Sequence, residues 1–178
     1  MTRLRPWTVR PAALDDVEAF EAVRIATWKA CFRGIVSDRF LDNLTLPPHR
    51  IQRCRDAIRD VERSSVMVAC AGDAIIGMGM AEPACDEDLT SDAGEIRALF
   101  VHPDWQGRGV GRALLNALTM ALGACGYRAA VLWTLRDLPP TRRFYEANGW
   151  TFDGAEDTPD WHGPVHLVRY ARDLGDPV

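Results

Sequence analysis

A short segment that begins at residue 107 carries the residue types best suited to chemistry in this 178-residue chain. It combines three glycines with two arginines: Gly107, Arg108, Gly109, Gly111 and Arg112. Glycine lacks a Cβ, so the backbone here can adopt conformations and approach a ligand in ways that other residues resist. A helix predicted from about Val110 to Cys125 would add free N-terminal amides and the positive end of its dipole. The segment therefore predicts a binding site for a pyrophosphate.

Two common phosphate-binding loops do not match this segment. A Walker A loop requires a lysine followed by serine or threonine, and neither residue type follows Gly111. The dinucleotide fingerprint requires three glycines spaced as GxGxxG, and here Ala113 occupies part of the region where the third would be sought. The sequence therefore indicates neither a P-loop kinase or ATPase nor a Rossmann dehydrogenase.

The segment resembles the acetyl-CoA loop of the Gcn5-related N-acetyltransferases (GNAT), Q/R-x-x-G-x-G/A, through Gln106, Gly109 and Gly111. Upstream, the runs TVRPAALDDVEAF and WKACFRG are similar to the first strand and helix of a bacterial branch of that family. Downstream, RRFYEANGW is similar to its second cofactor motif. The three motifs occur in the family's order and cover most of the chain.

The resemblance implies an α/β fold. We expect one N-acetyltransferase domain over residues 1–178, with a mixed, mostly antiparallel, twisted sheet of about six or seven strands. About four or five helices would flank the sheet, which would be splayed at its central parallel strand pair. The hydrophobic content of 47% is enough for one substantial core.

The resemblance also implies which residues hold acetyl-CoA. The backbone of Leu99, Phe100 and Val101 would pair with the pantetheine arm, where the two splayed strands leave amides and carbonyls unpaired. The pyrophosphate would lie against the loop formed by Gln106, Gly107, Arg108, Gly109, Val110, Gly111 and Arg112. Leu138 stands where many members have an asparagine that helps to hold the arm, so here the contact would be an apolar or backbone one. No metal is required.

Two residues lie at positions that the family uses for catalysis. Tyr145 corresponds to a general acid, since a phenol is protonated at neutral pH and can donate to a thiolate leaving group. The alternative is that its ring only packs in the core, where neighbouring Phe144 is expected to face. Glu95 corresponds to a general base for the amine, usually acting through a water. Its alternative is a structural ion pair with Arg97.

The acceptor pocket would be lined by aromatic and charged residues of the first helix and later strands. The candidates are Trp28, Phe32, Arg33, Trp133 and, in the late loop, Trp161 and His162. For each residue alone, burial in the core is the competing explanation. Aromatic residues beside Glu95 and Asp137 would suit a partly apolar, cationic acceptor.

These residues together predict an acyltransferase, a direct acetyl-CoA-dependent N-acetyltransferase acting in a ternary complex. The acceptor would be a primary amine of a small molecule or peptide. The alternative is a non-catalytic acyl-CoA-binding or sensory domain that keeps the loop but has no productive acceptor site. Family members are often dimers, so a homodimer is possible.

Composition argues against several other partners. The net charge of -4 gives no electrostatic reason to expect nucleic acid. The N-terminal segment has no apolar signal-peptide core, and the chain has no run of about 18 apolar residues that could cross a bilayer. We therefore expect a cytoplasmic protein without a membrane partner.

The periodicity of apolar residues predicts the main elements. A helix is expected from Leu14 to Phe32, with Leu14, Val17, Ile25, Trp28 and Phe32 near one face. Further expected elements are a β-hairpin around Gly72, a strand from Glu95 to Val101, and later strands over 129–135, 150–153 and 166–172.

Overall fold

A seven-stranded mixed sheet forms the centre of the computed structural model, which describes residues 6–161 and 163–175. Its strands are Thr8–Pro11 (β1), Ser65–Ala71 (β2), Ala74–Pro83 (β3), Ala93–Val101 (β4), Ala129–Leu135 (β5), Thr151–Asp157 (β6) and Leu167–Asp173 (β7). They lie in the order β1-β2-β3-β4-β5-β7-β6. Every neighbouring pair is antiparallel except β4 and β5, so the predicted fold class is confirmed.

Five α-helices accompany the sheet within the described residues. They are Val17–Cys31 (α1), Asp38–Asp42 (α2), Pro48–Arg59 (α3), Val110–Ala124 (α4) and Pro139–Glu146 (α5). The predicted hairpin and the strand before the glycine loop occur as expected, the strand beginning at Ala93 rather than Glu95. None of the helices in the described ranges is long and apolar enough to span a membrane.

Helix α4 packs its leucines against strands that have glycine at the points of contact. Leu114, Leu115 and Leu118 have no exposed surface. A Cβ built on Gly79 of β3 would lie 2.5 Å from Leu118 Cδ1, so glycine at this position lets the buried leucine pack on the strand without shifting. The packing fixes α4, and with it the glycine loop at its N-terminus, against the middle of the sheet.

The buried face of α1 agrees with the prediction at Val17, which is fully buried, and differs from it elsewhere. Leu14 lies in a 3₁₀ turn before the helix and is 37% exposed. The buried face includes Phe20 and Val23, and it also includes the charged pair Glu21 and Arg24. The apolar periodicity of the sequence did not predict this face, because two of its buried positions, Glu21 and Arg24, are ionisable.

The parallel pairing of β4 and β5 is short. It comprises only Ala93 with Ala129, Gly94 with Ala130, and Glu95 with Val131. Two residues beyond Glu95, a β-bulge shifts the register of β4 against β3 at Arg97. A bulge bends and twists its strand. From Ile96 and Leu132 onward the two strands form no registered pairs, and a gap opens between them.

Candidate functional site

One cavity of about 1050 Å³ runs from the gap between β4 and β5 to the glycine loop on one side and to α1 and α3 on the other. The expected cofactor residues that line it are Leu99, Phe100, Val101, Gln106, Gly107, Gly109, Gly111, Arg112 and Leu138. The expected acceptor residues that line it are Trp28, Phe32 and Trp133. The fold therefore brings most of the predicted site residues to one space.

The glycine loop has the backbone conformation that its composition predicted. Gly107 and Gly109 have φ values of 72° and 82°, in the left-handed region that disfavours residues with a Cβ. Gly109 is the N-cap of α4, and the amide of Ala113 bonds back to its carbonyl at 3.2 Å. The amides before Ala113 therefore have no intrahelical acceptor and are suited to bind an anion.

Two residues of the expected cofactor set do not line the cavity with their side chains. Val110 is 1% exposed and packs in the core with Leu114, so only its backbone can serve a ligand. The guanidinium of Arg108 lies 5.1 Å from the ring centroid of Trp105. Arg112 is thus the loop arginine that borders the cavity.

The end of β4 is held by side chains from two other segments. Gln106 Nε2 donates to the carbonyl of Val101 at 3.1 Å, and the Thr27 hydroxyl lies 3.1 Å from the same oxygen. Gln106 Nε2 also lies 3.6 Å from Cys31 Sγ. The Val101 carbonyl is therefore already engaged, which leaves Leu99 and Phe100 as the β4 residues better placed to pair with a ligand in the gap.

Tyr145 lies where β4 and β5 diverge. It is 7% exposed and packs in one cluster with Ile96 and Leu132, the first residues beyond the parallel pairing. Burial raises the pKa of its phenol above the ordinary value, so the hydroxyl stays protonated at neutral pH. The hydroxyl has no hydrogen-bond partner among the described residues. Tyr145 also lines the cavity.

Phe144 does not face away from the site as expected. It borders the same cavity as Tyr145, with the two ring centroids 5.2 Å apart. A Cβ built on Gly111 would lie 3.5 Å from Phe144 Cζ, which places this ring over the start of α4.

Glu95 is buried beside the cavity rather than in its lining. It is 4% exposed, and its Oε2 lies 3.4 Å from Arg97 Nη1. Burial raises the pKa of the Glu95 carboxyl above its ordinary value, and the positive charge of Arg97 opposes that rise. Arg97 also donates from Nε to Glu82. The ion pair considered from the sequence is present, and Arg97 itself lines the cavity.

An aromatic wall, formed by Trp28, Phe32, Trp133 and Trp161, borders the acceptor side of the cavity. Trp28 stacks on Trp161 with ring centroids 5.5 Å apart. Arg33 lies outside this lining and pairs with Asp42 at 2.5 Å. His162 lies outside the described residues.

Several lining residues were not anticipated from the sequence. They are Glu21, Arg24, Thr27, Arg50, Arg53, Cys54, Met78, Met80 and Arg97. One signal was available: Glu21 and Arg24 interrupt the apolar face of α1 three residues apart, and a buried charge needs a partner. The arginines of α3 gave no such signal, because that helix is strongly charged throughout.

The family model of the acetyltransferase (GNAT) domain matches residues 62–152. The aminoglycoside N(6')-acetyltransferase type 1 of Stenotrophomonas maltophilia is 32% identical over 116 residues, which are 62% of this chain and 64% of that enzyme. The chain thus spans slightly less than two thirds of this relative. The uncharacterised N-acetyltransferase YuaI of Bacillus subtilis is 26% identical, covering 79% of this chain and 78% of YuaI.

Solved structures share the fold. The PaiA N-acetyltransferase of Thermoplasma acidophilum, in complex with coenzyme A, has a TM-score of 0.74 at 16% identity and covers 94% of this chain and 98% of its own. Salmonella typhimurium yncA, with its cofactor acetyl-CoA, has a TM-score of 0.74 at 19% identity and covers 97% of this chain and 98% of its own. At these identities the likeness establishes the architecture alone.

A glycine substitution tests the loop. We expect Gly109→Ala to weaken coenzyme A binding about tenfold, measured by calorimetry, because a Cβ at this φ distorts the loop at the start of α4. Gly72→Ala is the matched control, since Gly72 has a φ of 58° in the distant β2–β3 turn. Both variants should lose about 1 kcal/mol of stability. Equal coenzyme A affinity in the two variants would contradict the assignment.

Proposed function

The chain belongs to the GNAT acetyltransferase family, and from this we propose that residues 1–178 form one N-acetyltransferase domain. It transfers the acetyl group of acetyl-CoA directly to a primary amine of a small molecule or peptide within a ternary complex. The observation that carries this proposal is the position of Tyr145, which borders the gap between β4 and β5 in the same cavity as the glycine loop.

The residues present suit acetyl-CoA. The left-handed glycines and the N-terminus of α4 offer amides to a pyrophosphate, and Arg112 adds a positive charge beside them. The gap beyond Glu95 and Val131 gives an extended arm access to the backbone of Leu99 and Phe100. Leu138 adds an apolar contact where many family members have asparagine. The cosubstrate supplies the thioester whose carbonyl the amine attacks.

Tyr145 serves as the general acid in this proposal. Its raised pKa keeps the proton on the phenol throughout the neutral range, and no described side chain competes for that proton. A proton donor at the end of the gap would neutralise the departing thiolate. Core packing and acid catalysis are compatible here, because the ring contacts Trp150 and Tyr170 while the residue borders the cavity.

Glu95 serves as the base that takes a proton from the acceptor's ammonium group, so that the neutral amine can attack the thioester. It does not line the cavity, so proton transfer would pass through water beside Arg97. A carboxylate with a raised pKa is a better match to this task than an ordinary one.

The acceptor lies against the aromatic wall. An aminoglycoside is one candidate, because the Stenotrophomonas relative carries that activity in its name. A cytoplasmic location and a homodimer remain predictions within this proposal.

The role of Tyr145 can be separated from its packing. We expect Tyr145→Phe to reduce kcat about 100-fold or more, measured as free thiol released from acetyl-CoA, while coenzyme A affinity is retained. Tyr127→Phe is the matched control, since Tyr127 is partly buried against the same core cluster. It should leave kcat unchanged.

Two results would contradict this assignment. An unchanged kcat in Tyr145→Phe would exclude the phenol as the acid. If the wild-type chain binds coenzyme A but releases no thiol with any amine, the non-catalytic acyl-CoA-binding alternative is correct.

The proposed base predicts a pH dependence. Because the carboxylate must be deprotonated to accept a proton, kcat/KM should fall as pH decreases through the raised pKa of Glu95, above the ordinary value of about 4.3. Glu95→Gln should abolish this acidic limb and lower kcat/KM about 100-fold. Glu87→Gln, at an exposed position of the β3–β4 loop, is the control. An acidic limb that persists in Glu95→Gln would assign it to another group.

A further inference from the structure

A cluster of charged residues lines the end of the cavity remote from the glycine loop. Glu21 Oε2 accepts from Arg24 Nε at 2.8 Å and from Arg50 Nε at 2.6 Å. Glu21 is fully buried, and the Arg24 side chain is only 6% exposed. We call Glu21, Arg24 and Arg50 the arginine cluster.

The arginine cluster carries an excess of positive charge. One carboxylate faces two guanidiniums, which leaves one formal positive charge. Cys54 lies 3.7 Å from Glu21 Oε1, but burial raises the pKa of its thiol to about 11, so it adds no negative charge at neutral pH. The Arg50 side chain is 34% exposed and borders the cavity, so the excess charge faces the space in which a ligand would bind. The neighbouring Arg53 and Arg97 do not share this excess, because they pair with Glu82 and Glu95.

The cluster also has hydrogen-bond donors to spare. Both arginines reach Glu21 through Nε, and neither Nη nitrogen of Arg24 has a hydrogen-bond partner in residues 6–161 and 163–175. The Arg24 guanidinium lies 5.5 Å from the ring centroid of Trp28. The unpaired Nη donors of Arg24, which lines the cavity, suit a carboxylate, which accepts through two oxygens.

This positive charge is separate from the pyrophosphate site. Cys31, near the C-terminal end of α1, contacts Gln106 at the start of the glycine loop. Arg24 lies seven residues earlier in the same helix, which corresponds to about 10 Å along its axis. The Arg24 end of the cavity is therefore available to the acceptor.

We infer that the acceptor is an amine that also carries a carboxylate, such as an amino acid or a short peptide, with the carboxylate bound by Arg24 and Arg50. This inference rests on the proposed function and narrows its substrate class. The aromatic wall then contacts the apolar part of the acceptor. The sequence suggested a cationic acceptor, and the relative's name suggests an aminoglycoside. The excess positive charge of the arginine cluster would repel such a polycation.

The test compares amines that differ only in the carboxylate. Thiol release from acetyl-CoA is measured with the common amino acids and short peptides, with the C-terminal amide of each, and with aminoglycosides. We expect the best acceptor to carry a free carboxylate, with kcat/KM about 10- to 100-fold above that of its amide. Arg24→Gln should remove most of this difference, because it should lower turnover of the acid far more than turnover of the amide. Arg59→Gln, which alters an exposed arginine outside the cavity lining, should keep it.

Arg50→Gln provides a second variant, because its side chain is 34% exposed and its loss is less disruptive to folding. Like Arg24→Gln, it should reduce the ratio of kcat/KM for the free acid to kcat/KM for its amide. Equal turnover of acid and amide, or an aminoglycoside as the best acceptor, would overturn this inference and leave the proposed function intact. The absence of thiol release with every amine would overturn the proposed function and this inference together.

Discussion

The early end of the β4–β5 pairing is the constraint on which the rest of the site depends. Three registered residue pairs join the two strands, and β4 then has a bulge against β3 at Arg97. The separation leaves backbone groups of β4 without a strand partner, and such groups must bond to a ligand or to water. It also lets Tyr145 of α5 reach the space between the strands.

The two ends of the gap are fixed by different interactions. At the loop end, the leucines of α4 pack on glycine-containing strands and set the position of the helix N-terminus. At the acceptor end, α1 lies over β3 and β4, and Thr27 reaches the carbonyl of Val101. The charged residues one and two turns earlier in α1 then face the cavity, so one helix contributes both to the end of β4 and to the arginine cluster.

The sequence was sufficient for features that depend on local pattern. The strand ending at Val101, the glycine loop and helix α4 follow from apolar periodicity and from glycine at two left-handed positions. The bulge at Arg97 and the burial of Glu21 with Arg24 depend on contacts between distant segments, so periodicity could not reveal them. The same holds for Phe144, whose ring lies beside the cavity near Gly111 at the start of α4, a contact between segments more than 30 residues apart.

Hydrogen exchange of the backbone amides with and without acetyl-CoA tests the central claim most directly. If the open edge of β4 and the N-terminus of α4 receive the cosubstrate, protection should increase in residues 98–101 and 107–112. The β2–β3 turn at Gly72 should be unaffected. Binding of acetyl-CoA without added protection in either segment would show that the gap between β4 and β5 is not the cosubstrate site.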